Sequence, residues 1–189
     1  KSAEKKFVAN GWGVGRFDLM YNDFLFVGPD NDPAGLSDAT SAVDALIRIS
    51  SDGALFASRG DESGTHKKER RLWTSAGIDP TTSSGDWYRE TGSGMGATLN
   101  VAVGMNAYAM TDRATWISFG NKLGFKIVFD SDQKLFNQYG IILVNPSRHP
   151  HVNAKDGQIF INWMLGKKGQ TAIANYTLDG QQLFFPNVN

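Results

Sequence analysis

The sequence predicts an α/β fold, in which short buried strands alternate with helices around a largely parallel sheet. Apolar runs of four or five residues, such as residues 54–57 and 125–129, are bounded by glycine and polar turn residues and indicate buried strands. Between such runs, apolar residues recur three and four positions apart, as Val43, Leu46 and Ile47 do, which indicates amphipathic helices. A chain of 189 residues is long enough for one domain or for two small lobes.

The predicted strands are the short apolar runs, which cover residues 23–27, 54–57, 108–110, 125–129 and 140–144. Turn residues end the first and the last of them. Residues 28–33 contain a glycine and two prolines, and Asn145-Pro146 follows the last strand. Proline donates no backbone hydrogen bond, so a strand is not expected to continue through it. The loop-rich segment 79–86 is predicted to be a surface excursion.

The predicted helices follow Asp38, cover residues 65–76, follow Gly94 and Asp112, and cover residues 158–165 and 170–176. Asp38 and Asp112 are the predicted N-caps, since a short acidic side chain accepts hydrogen bonds from first-turn amides. Gly77 is the predicted C′ residue of the second helix, because glycine adopts the left-handed conformation at no steric cost.

The composition excludes several functional classes. Lys plus Arg and Asp plus Glu number 19 each, so no net field favours nucleic acid or an anionic membrane. The chain has no cysteine, which removes disulfides, thiolate ligands and a cysteine nucleophile. Its three histidines adjoin no acidic cluster, so neither a metal ion nor another cofactor is expected. Apolar runs such as residues 141–144 are too short for membrane insertion.

Residues 58–65 (SRGDESGT) carry the strongest functional signal, because three properties meet where a strand gives way to a helix. Ser63 and Thr65 offer hydroxyl groups, and two glycines let the backbone approach a ligand without a Cβ atom. The start of a helix leaves backbone amides unpaired and carries a partial positive charge. Arg59 adds a fork of donors that suits a tetrahedral oxyanion, and Asp61 is expected to hold that side chain in place. Together these features predict an anion site.

Other interpretations of this segment stay open at the level of sequence. Ser63 as a simple N-cap and Arg59 as a surface cation explain the pattern about equally well. Hydrolysis through Ser63 and His66 is a weaker hypothesis, because both residues fall within one helical turn and the pattern lacks the order of a nucleophile elbow. The tripeptide Arg59-Gly60-Asp61 matches a cell-adhesion motif, but three residues carry little information.

A second glycine-rich helix start, residues 91–98 (TGSGMGAT), is predicted to bring further free amides near the same anion. Its glycine spacing superficially matches a dinucleotide-binding turn. The acidic residue expected about 20 positions later would be Asp112, which serves better as a helix cap, so a dinucleotide site is not favoured. Tight helix packing without any ligand is the plain alternative for this segment.

Taken together, the residues resemble the tungstate-binding receptors of bacterial ABC importers, which belong to the two-lobed periplasmic anion receptors. The stretches that carry the resemblance are residues 21–24 (YNDF), 58–66 (SRGDESGTH), 87–96 (WYRETGSGMG), 110–116 (MTDRATW), 135–140 (LFNQYG) and 183–187 (LFFPN). The resemblance therefore covers essentially the whole chain, and the combination is far more specific than any single motif.

The resemblance implies a type II-like periplasmic binding protein, in which a cleft separates two α/β lobes joined by crossing strands. Residues 23–144 would form lobe II with the two hinge-crossing strands, and residues 1–22 and 145–189 the remainder of lobe I. Family members carry a Thr/Ser-rich anion-binding motif near the mature N-terminus, and the resemblance implies that this chain begins after it. We therefore expect that the N-terminal part of lobe I is absent and that these residues alone bind an anion poorly.

The resemblance also implies a function: capture of a tetrahedral oxyanion, above all tungstate, at the periplasmic or extracytoplasmic face of a bacterium, and delivery to the permease subunits of an ABC importer. Such a receptor binds its ligand without chemistry, so no enzymatic activity is expected. The contacts that carry over are Arg59, Ser63, Gly64 and Thr65, with Ser58, Ser93 and Gly94 as weaker candidates. The alternatives are a molybdate, phosphate or sulfate receptor, a phosphoester-processing enzyme, and a signalling module that reuses the fold.

Overall fold

The computed structural model describes residues 1–188. These residues form two compact units: unit 1 contains residues 1–22 and 137–188, and unit 2 is Asp23–Phe136. Both units contain helices as well as strands, so the mixed α/β class predicted from the sequence is confirmed.

The second boundary between the units lies earlier in the chain than the sequence analysis placed it. Residues 137–144, assigned there to the same lobe as the residues before them, belong to unit 1. Gln138 provides the reason. Its side-chain nitrogen donates to the carbonyl oxygen of Met20 at 2.9 Å, and its side-chain oxygen accepts from the amide group of Asn187 at 2.7 Å. These bonds join the segment to both of the other parts of unit 1.

The helices are α1 (Ser2–Ala9), α2 (Ala42–Asp52), α3 (Gly64–Ser75), α4 (Met95–Met105), α5 (Arg113–Ser118), α6 (Ala154–Leu165) and α7 (Lys167–Ala174). The strands are β1 (Gly13–Pro29), β2 (Phe56–Ser58), β3 (Tyr88–Glu90), β4 (Tyr108–Asp112), β5 (Phe125–Phe129), β6 (Phe136–Val144), β7 (Thr177–Leu178), β8 (Gln181–Gln182) and β9 (Phe185–Pro186). Short 3-10 helices cover Leu36–Asp38, Pro80–Ser83 and Gln133–Leu135.

Unit 2 is built on one mixed sheet with the strand order β3-β2-β4-β1-β5. Strand β2 is parallel to both of its neighbours, so that Ala57 pairs with Arg89 on one side and with Ala109 on the other. Strand β1 is antiparallel to β4 and to β5. The prediction of a largely parallel sheet is therefore correct for β3, β2, β4 and β5, whereas β1 lies between β4 and β5 and runs against both.

Side chains that alternate along β1 are buried on the two opposite faces of this sheet. Phe24 and Phe26 pack into one core cluster with residues of α2 and α3, including the fully buried Trp73. Leu25 and Val27 pack into a second cluster with residues of α4 and α5. Successive side chains of a strand point to opposite faces, so one strand supplies both cores. Unit 2 thus has three layers, with helices on each side of the sheet.

Two helix caps show where capping was predicted correctly and where it was not. Asp112 caps α5 as expected, since its side chain accepts from the amide of Thr115 at 2.9 Å. Helix α2 is capped by Ser41, which accepts from the amide of Asp44 at 3.1 Å. The predicted cap, Asp38, lies in a preceding 3-10 helix, because the chain makes a short turn before α2 begins.

The apolar pattern did not reveal the start of β1, the start of β6, or the short strands β3, β7, β8 and β9. Strand β1 begins at Gly13, ten residues before the predicted start at residue 23. Charged residues such as Arg16 and Asp18 interrupt the apolar run in its first part. Strand β3 was not predicted, because its three residues, Tyr88–Glu90, include only one apolar side chain.

Unit 1 contains α1, α6, α7 and the first part of β1, which pairs with β6 and, antiparallel, with β9. Its large exposed apolar side chains are Phe7, Trp12, Val14, Phe17, Val144, Ile159, Phe160, Trp163 and Tyr176. Within residues 1–188, no helix is both long and apolar enough to cross a membrane. Most of the buried core lies in unit 2, the unit that carries the predicted anion site.

Candidate functional site

The loops that follow β2 and β3 lie at the same edge of the unit 2 sheet. The two strands are parallel neighbours with Ser58 opposite Glu90, so their carboxyl ends coincide. Helix α3 follows β2, and helix α4 follows β3. The two helix N-termini predicted to bind an anion therefore lie at one sheet edge, where open α/β sheets bind their ligands.

Hydrogen bonds tie these two loops together. The amide of Thr91 donates to the carbonyl oxygen of Ser58 at 2.9 Å, and the amide of Ser93 donates to that of Arg59 at 3.3 Å. The Thr91 hydroxyl oxygen lies 2.8 Å from the hydroxyl oxygen of Thr98 on α4. The start of α4 is thus held against the loop that leads into α3.

The N-terminus of α3 presents backbone amides as donors. Ser63 is the N-cap, and its hydroxyl oxygen accepts from the amide of His66 at 3.3 Å. Among residues 1–188, the amides of Gly64 and Thr65 have no hydrogen-bond partner. Gly64 is exposed, and a Cβ atom added there would meet no other residue within 4 Å beyond its chain neighbours and its own helix. Thr65 itself is buried, so the exposed Gly64 marks where an anion can approach these two amides and the positive end of the helix dipole.

The N-terminus of α4 is similar but has no side-chain cap. Gly94 precedes the helix and is exposed, and the amides of Met95 and Gly96 have no partner within the described part of the chain. The hydroxyl of Ser93 donates to the carbonyl oxygen of Thr91 at 3.1 Å. Since that bond uses the hydroxyl proton, Ser93 stabilises its own loop, and the backbone from Gly94 onward supplies the free donors.

Arg59 is held by Asp61, as the sequence analysis expected. The guanidinium donates to one carboxylate oxygen from Nε at 3.1 Å and from Nη2 at 2.5 Å, and both side chains are one-fifth exposed. The other carboxylate oxygen accepts from the amide of Ser63 at 3.2 Å. Although desolvation raises the pKa of Asp61, the hydrogen bonds from Ser63 and Arg59 outweigh it and lower this pKa to about 2. Asp61 is therefore ionised at neutral pH and fixes Arg59 beside the start of α3.

Ser58 does not face solvent, in contrast to the expectation that it contacts a ligand. Its side chain is fully buried, and its hydroxyl donates to Oε2 of Glu69 at 2.8 Å. The hydroxyl oxygen of Ser58 also accepts from the amide of Gly60 at 3.3 Å. Since the hydroxyl proton points to Glu69, Ser58 supports the loop from below, and the prediction of a ligand contact is corrected to a structural role.

Glu69 lies near the site, and its burial was not predicted from the sequence. The run of charged residues 67–71 was interpreted as an exposed helix face, and Lys67 and Arg71 are indeed exposed. Glu69, however, retains only 2% of its accessible surface. Its spacing from the buried Trp73, four residues later, places both on the core face of α3 and was the signal available in the sequence.

The geometry does not support hydrolysis through Ser63 and His66. Ser63 accepts from the backbone amide of His66, and Nδ1 of the imidazole accepts from the backbone amide of Glu62 at 3.1 Å. A serine nucleophile needs a hydrogen bond to a general base, and no such bond joins the Ser63 hydroxyl to this ring.

A third helix, α5, starts at the same sheet edge after β4, but carboxylates already pair the arginine at its start. Asp112 caps it, and Arg113 donates from Nε to both carboxylate oxygens of Asp23 at 2.9 Å. Nη2 of Arg113 also donates to Asp130 at 2.9 Å. These two carboxylates neutralise Arg113, so α5 differs from α3 and α4 in what it offers to an anion.

The remaining histidine pair has structural neighbours. The ring of His149 lies 5.7 Å from that of Trp12 and 5.9 Å from that of His151. In the part of the chain that the structure describes, no three His, Cys, Asp or Glu side chains are grouped so as to hold a metal ion.

A family model, curated relatives and a solved structure all point to the same family. Residues 1–168 match the family described as a PBP superfamily domain. The tungstate-binding protein TupA of Peptoclostridium acidaminophilum is 47% identical over 99% of this chain and 66% of its own length. TupA of Campylobacter jejuni is 36% identical over 96% of this chain and 68% of its own. The solved structure of TupA from Desulfovibrio alaskensis superposes with a TM-score of 0.87 at 42% identity, covering 100% of this chain and 76% of that one.

The match extends along nearly all of this chain but not along all of its relatives. The chain spans between 55% and 68% of the length of the curated relatives that it matches. The family match nevertheless includes every residue of the candidate site, since the site lies within residues 58–96. The chain belongs to the PBP superfamily and, within it, to the family of the TupA proteins.

Proposed function

We propose that this protein is a solute-binding receptor that captures a tetrahedral oxyanion, tungstate in the first place, and delivers it to the permease of an ABC importer. The observation that carries the proposal is the pair of unpartnered amides of Gly64 and Thr65 beside the guanidinium of Arg59. The printed names of the relatives, which are tungstate-binding proteins, support tungstate as the ligand.

The proposed ligand contacts fall into two groups. Arg59, Ser63, Gly64 and Thr65 supply charge, a hydroxyl and amides at the start of α3. Gly94 opens the start of α4. Ser58 and Ser93 lie behind these groups and hold the two loops in place.

The proposed action is capture without chemistry. Donors at the helix starts replace part of the hydration shell of the anion, and each charge-assisted hydrogen bond contributes about 1.5–3 kcal/mol. A handful of such bonds is enough for tight binding of a dianion. No proton transfer and no covalent step is required, so the proposal includes no enzymatic activity.

A receptor of this kind works outside the cytoplasmic membrane and hands its ligand to membrane subunits. We place this protein at the extracytoplasmic face of the cell, with the permease subunits of the importer as its partner. The names of the TupA relatives and the PBP superfamily match support that placement.

The test is a calorimetric titration of the complete protein with tungstate, molybdate, sulfate and phosphate in turn. We expect tungstate to bind most tightly, and molybdate, which has nearly the same shape and charge, to compete best. If phosphate or sulfate bound more tightly than tungstate, that anion would be assigned as the ligand instead. Absence of binding to all four anions would overturn the receptor function itself.

A further inference from the structure

Beneath the candidate anion site lies a buried carboxyl group that anion capture does not itself require. Oε2 of Glu69 accepts from the Ser58 hydroxyl at 2.8 Å. Oε1 lies 2.8 Å from the Tyr88 hydroxyl and accepts from Nε1 of Trp73 at 3.1 Å. All of these partners are uncharged donors, so no cation within hydrogen-bonding distance balances an ionised Glu69.

This carboxyl group is linked to the anion-binding loop through a single hydroxyl. The Ser58 oxygen that donates to Glu69 also accepts from the amide of Gly60, at 3.3 Å. Gly60 has a φ of 60°, a left-handed conformation that favours glycine, and it directly follows Arg59. Ser58 therefore connects Glu69 to the segment that positions Arg59.

The network accommodates both protonation states of Glu69. When the carboxylate is ionised, it accepts from Ser58, Tyr88 and Trp73. When it is protonated, Oε1 donates to Tyr88, Tyr88 donates to Ser58, and Ser58 donates back to Oε2. The three oxygen–oxygen distances of that ring are 2.8, 3.0 and 2.8 Å. Proton uptake thus leaves none of the four oxygens without a hydrogen bond.

The charged groups around the network are few. Arg70, the next residue on α3, acts on Glu69 but pairs with Asp79 at 3.1 Å. On β3, Glu90 acts on Tyr88 and accepts from the hydroxyl of Ser84 at 2.7 Å. On β2, the group that meets Glu69 is the uncharged Ser58. Burial raises the pKa of Glu69 to about 7, against the opposing effect of its hydrogen bonds.

We propose that Glu69 takes up a proton from solvent when an oxyanion binds at the start of α3, and that it is a positioning residue whose charge is coupled to the ligand. The inference rests on the proposed function. A dianion repels a buried carboxylate that lies behind its site, and protonation removes this repulsion. By linkage, anion affinity then falls as pH rises through neutrality, by about fivefold between pH 6 and pH 8 if binding shifts the titration of Glu69 by one pH unit.

The test measures proton uptake directly. The complete protein is titrated with tungstate at pH 7 in two buffers that differ in ionisation enthalpy. We expect the observed heat to depend on the buffer, with uptake of up to about half a proton per anion, since a group with a pKa near 7 is half ionised at that pH.

Glu69→Gln is the informative variant, because a neutral amide replaces the titratable carboxyl group, its nitrogen can donate to Ser58, and its oxygen can accept from Tyr88 and Trp73. This variant should bind tungstate, lose the buffer dependence and show an affinity that varies less with pH. Glu62→Gln is the matched control. Glu62 is a carboxylate in the same loop with its side chain 78% exposed, and its removal should leave proton uptake unchanged.

Three results would overturn the inference while leaving the receptor function intact. They are tungstate binding with the same heat in both buffers, equal proton uptake by wild type and Glu69→Gln, and loss of uptake in Glu62→Gln alone. Absence of tungstate binding by the wild type would instead reject the proposed function, and this inference with it. If Glu69→Gln does not fold, the infrared difference spectrum of the wild type decides: tungstate must increase the absorption of a protonated carboxyl group, and an unchanged band contradicts the proposal.

Discussion

The backbone amide of Thr91 lies 2.9 Å from the carbonyl oxygen of Ser58 and donates a hydrogen bond to it. This one bond joins the loop before α4 to the loop before α3. Each loop follows one of two parallel neighbouring strands, β3 and β2, so two helix N-termini are brought to a single sheet edge. The candidate site therefore follows from strand order as much as from the residues that line it.

Arg59→Ala should weaken tungstate binding at least tenfold, because it removes the cation and its donors from the site. The fold should stay intact, since Asp61 keeps its hydrogen bond from the amide of Ser63. Calorimetry measures the dissociation constant. Arg71→Ala is the control, because Arg71 is an exposed arginine farther along α3, and it should bind as the wild type does. An unchanged dissociation constant for Arg59→Ala would remove this residue from the site.

Two substitutions of Ser63 should separate capping from ligand binding. Ser63→Ala loses the N-cap and should lower the free energy of unfolding by about 1 kcal/mol. Ser63→Asp retains a capping oxygen but adds a negative charge where the anion binds. It should preserve stability and abolish tungstate binding. Urea unfolding and calorimetry on both variants test this, and tight binding by Ser63→Asp would place the anion elsewhere.

Stability should depend on pH through Glu69. Its pKa in the folded protein is about 7, against 4.5 for an unperturbed glutamate, so the folded state binds more protons between these values. The associated stability is fully present below pH 4.5 and is lost as pH rises through 7. The loss should be of the order of 3 kcal/mol. Urea unfolding at pH 5 and pH 8 measures it, and Glu69→Gln should remove most of the difference. If the free energy of unfolding changed equally with pH in the wild type and in Glu69→Gln, Glu69 would not be the origin of the pH dependence.

Phosphate should bind about ten- to a hundredfold more weakly than tungstate at neutral pH. Phosphate then carries a proton that needs an acceptor, and an unmet hydrogen bond costs about 1–3 kcal/mol. The acceptors nearest the start of α3 are engaged: both oxygens of Asp61 and the hydroxyl oxygen of Ser63 already accept hydrogen bonds. Displacement of bound tungstate by phosphate measures the ratio, and equal affinities would contradict a donor-only site.

The sequence predicted the fold class and the helix start at residues 58–65 because both depend on local signals. Glycines and hydroxyls at residues 58–65 mark a helix start. The spacing of two residues between Arg59 and Asp61 predicts an ion pair, and the structure contains it. Ser58 and Glu69 could not be placed in the same way. Their burial depends on how α3 packs against β2 and β3, and a charged run surrounds Glu69 in the sequence. The direction of β1 was equally hidden, because alternation of strands and helices does not fix how each strand runs.

Anomalous diffraction from crystals of the complete protein soaked in tungstate tests the central claim most directly, because the anomalous signal of tungsten marks the position of the bound anion. We predict a tungsten peak at the start of α3. Its oxygens should lie about 3 Å from the amide nitrogens of Gly64 and Thr65 and from the guanidinium of Arg59. A peak that contacts none of these three residues would contradict the proposed site.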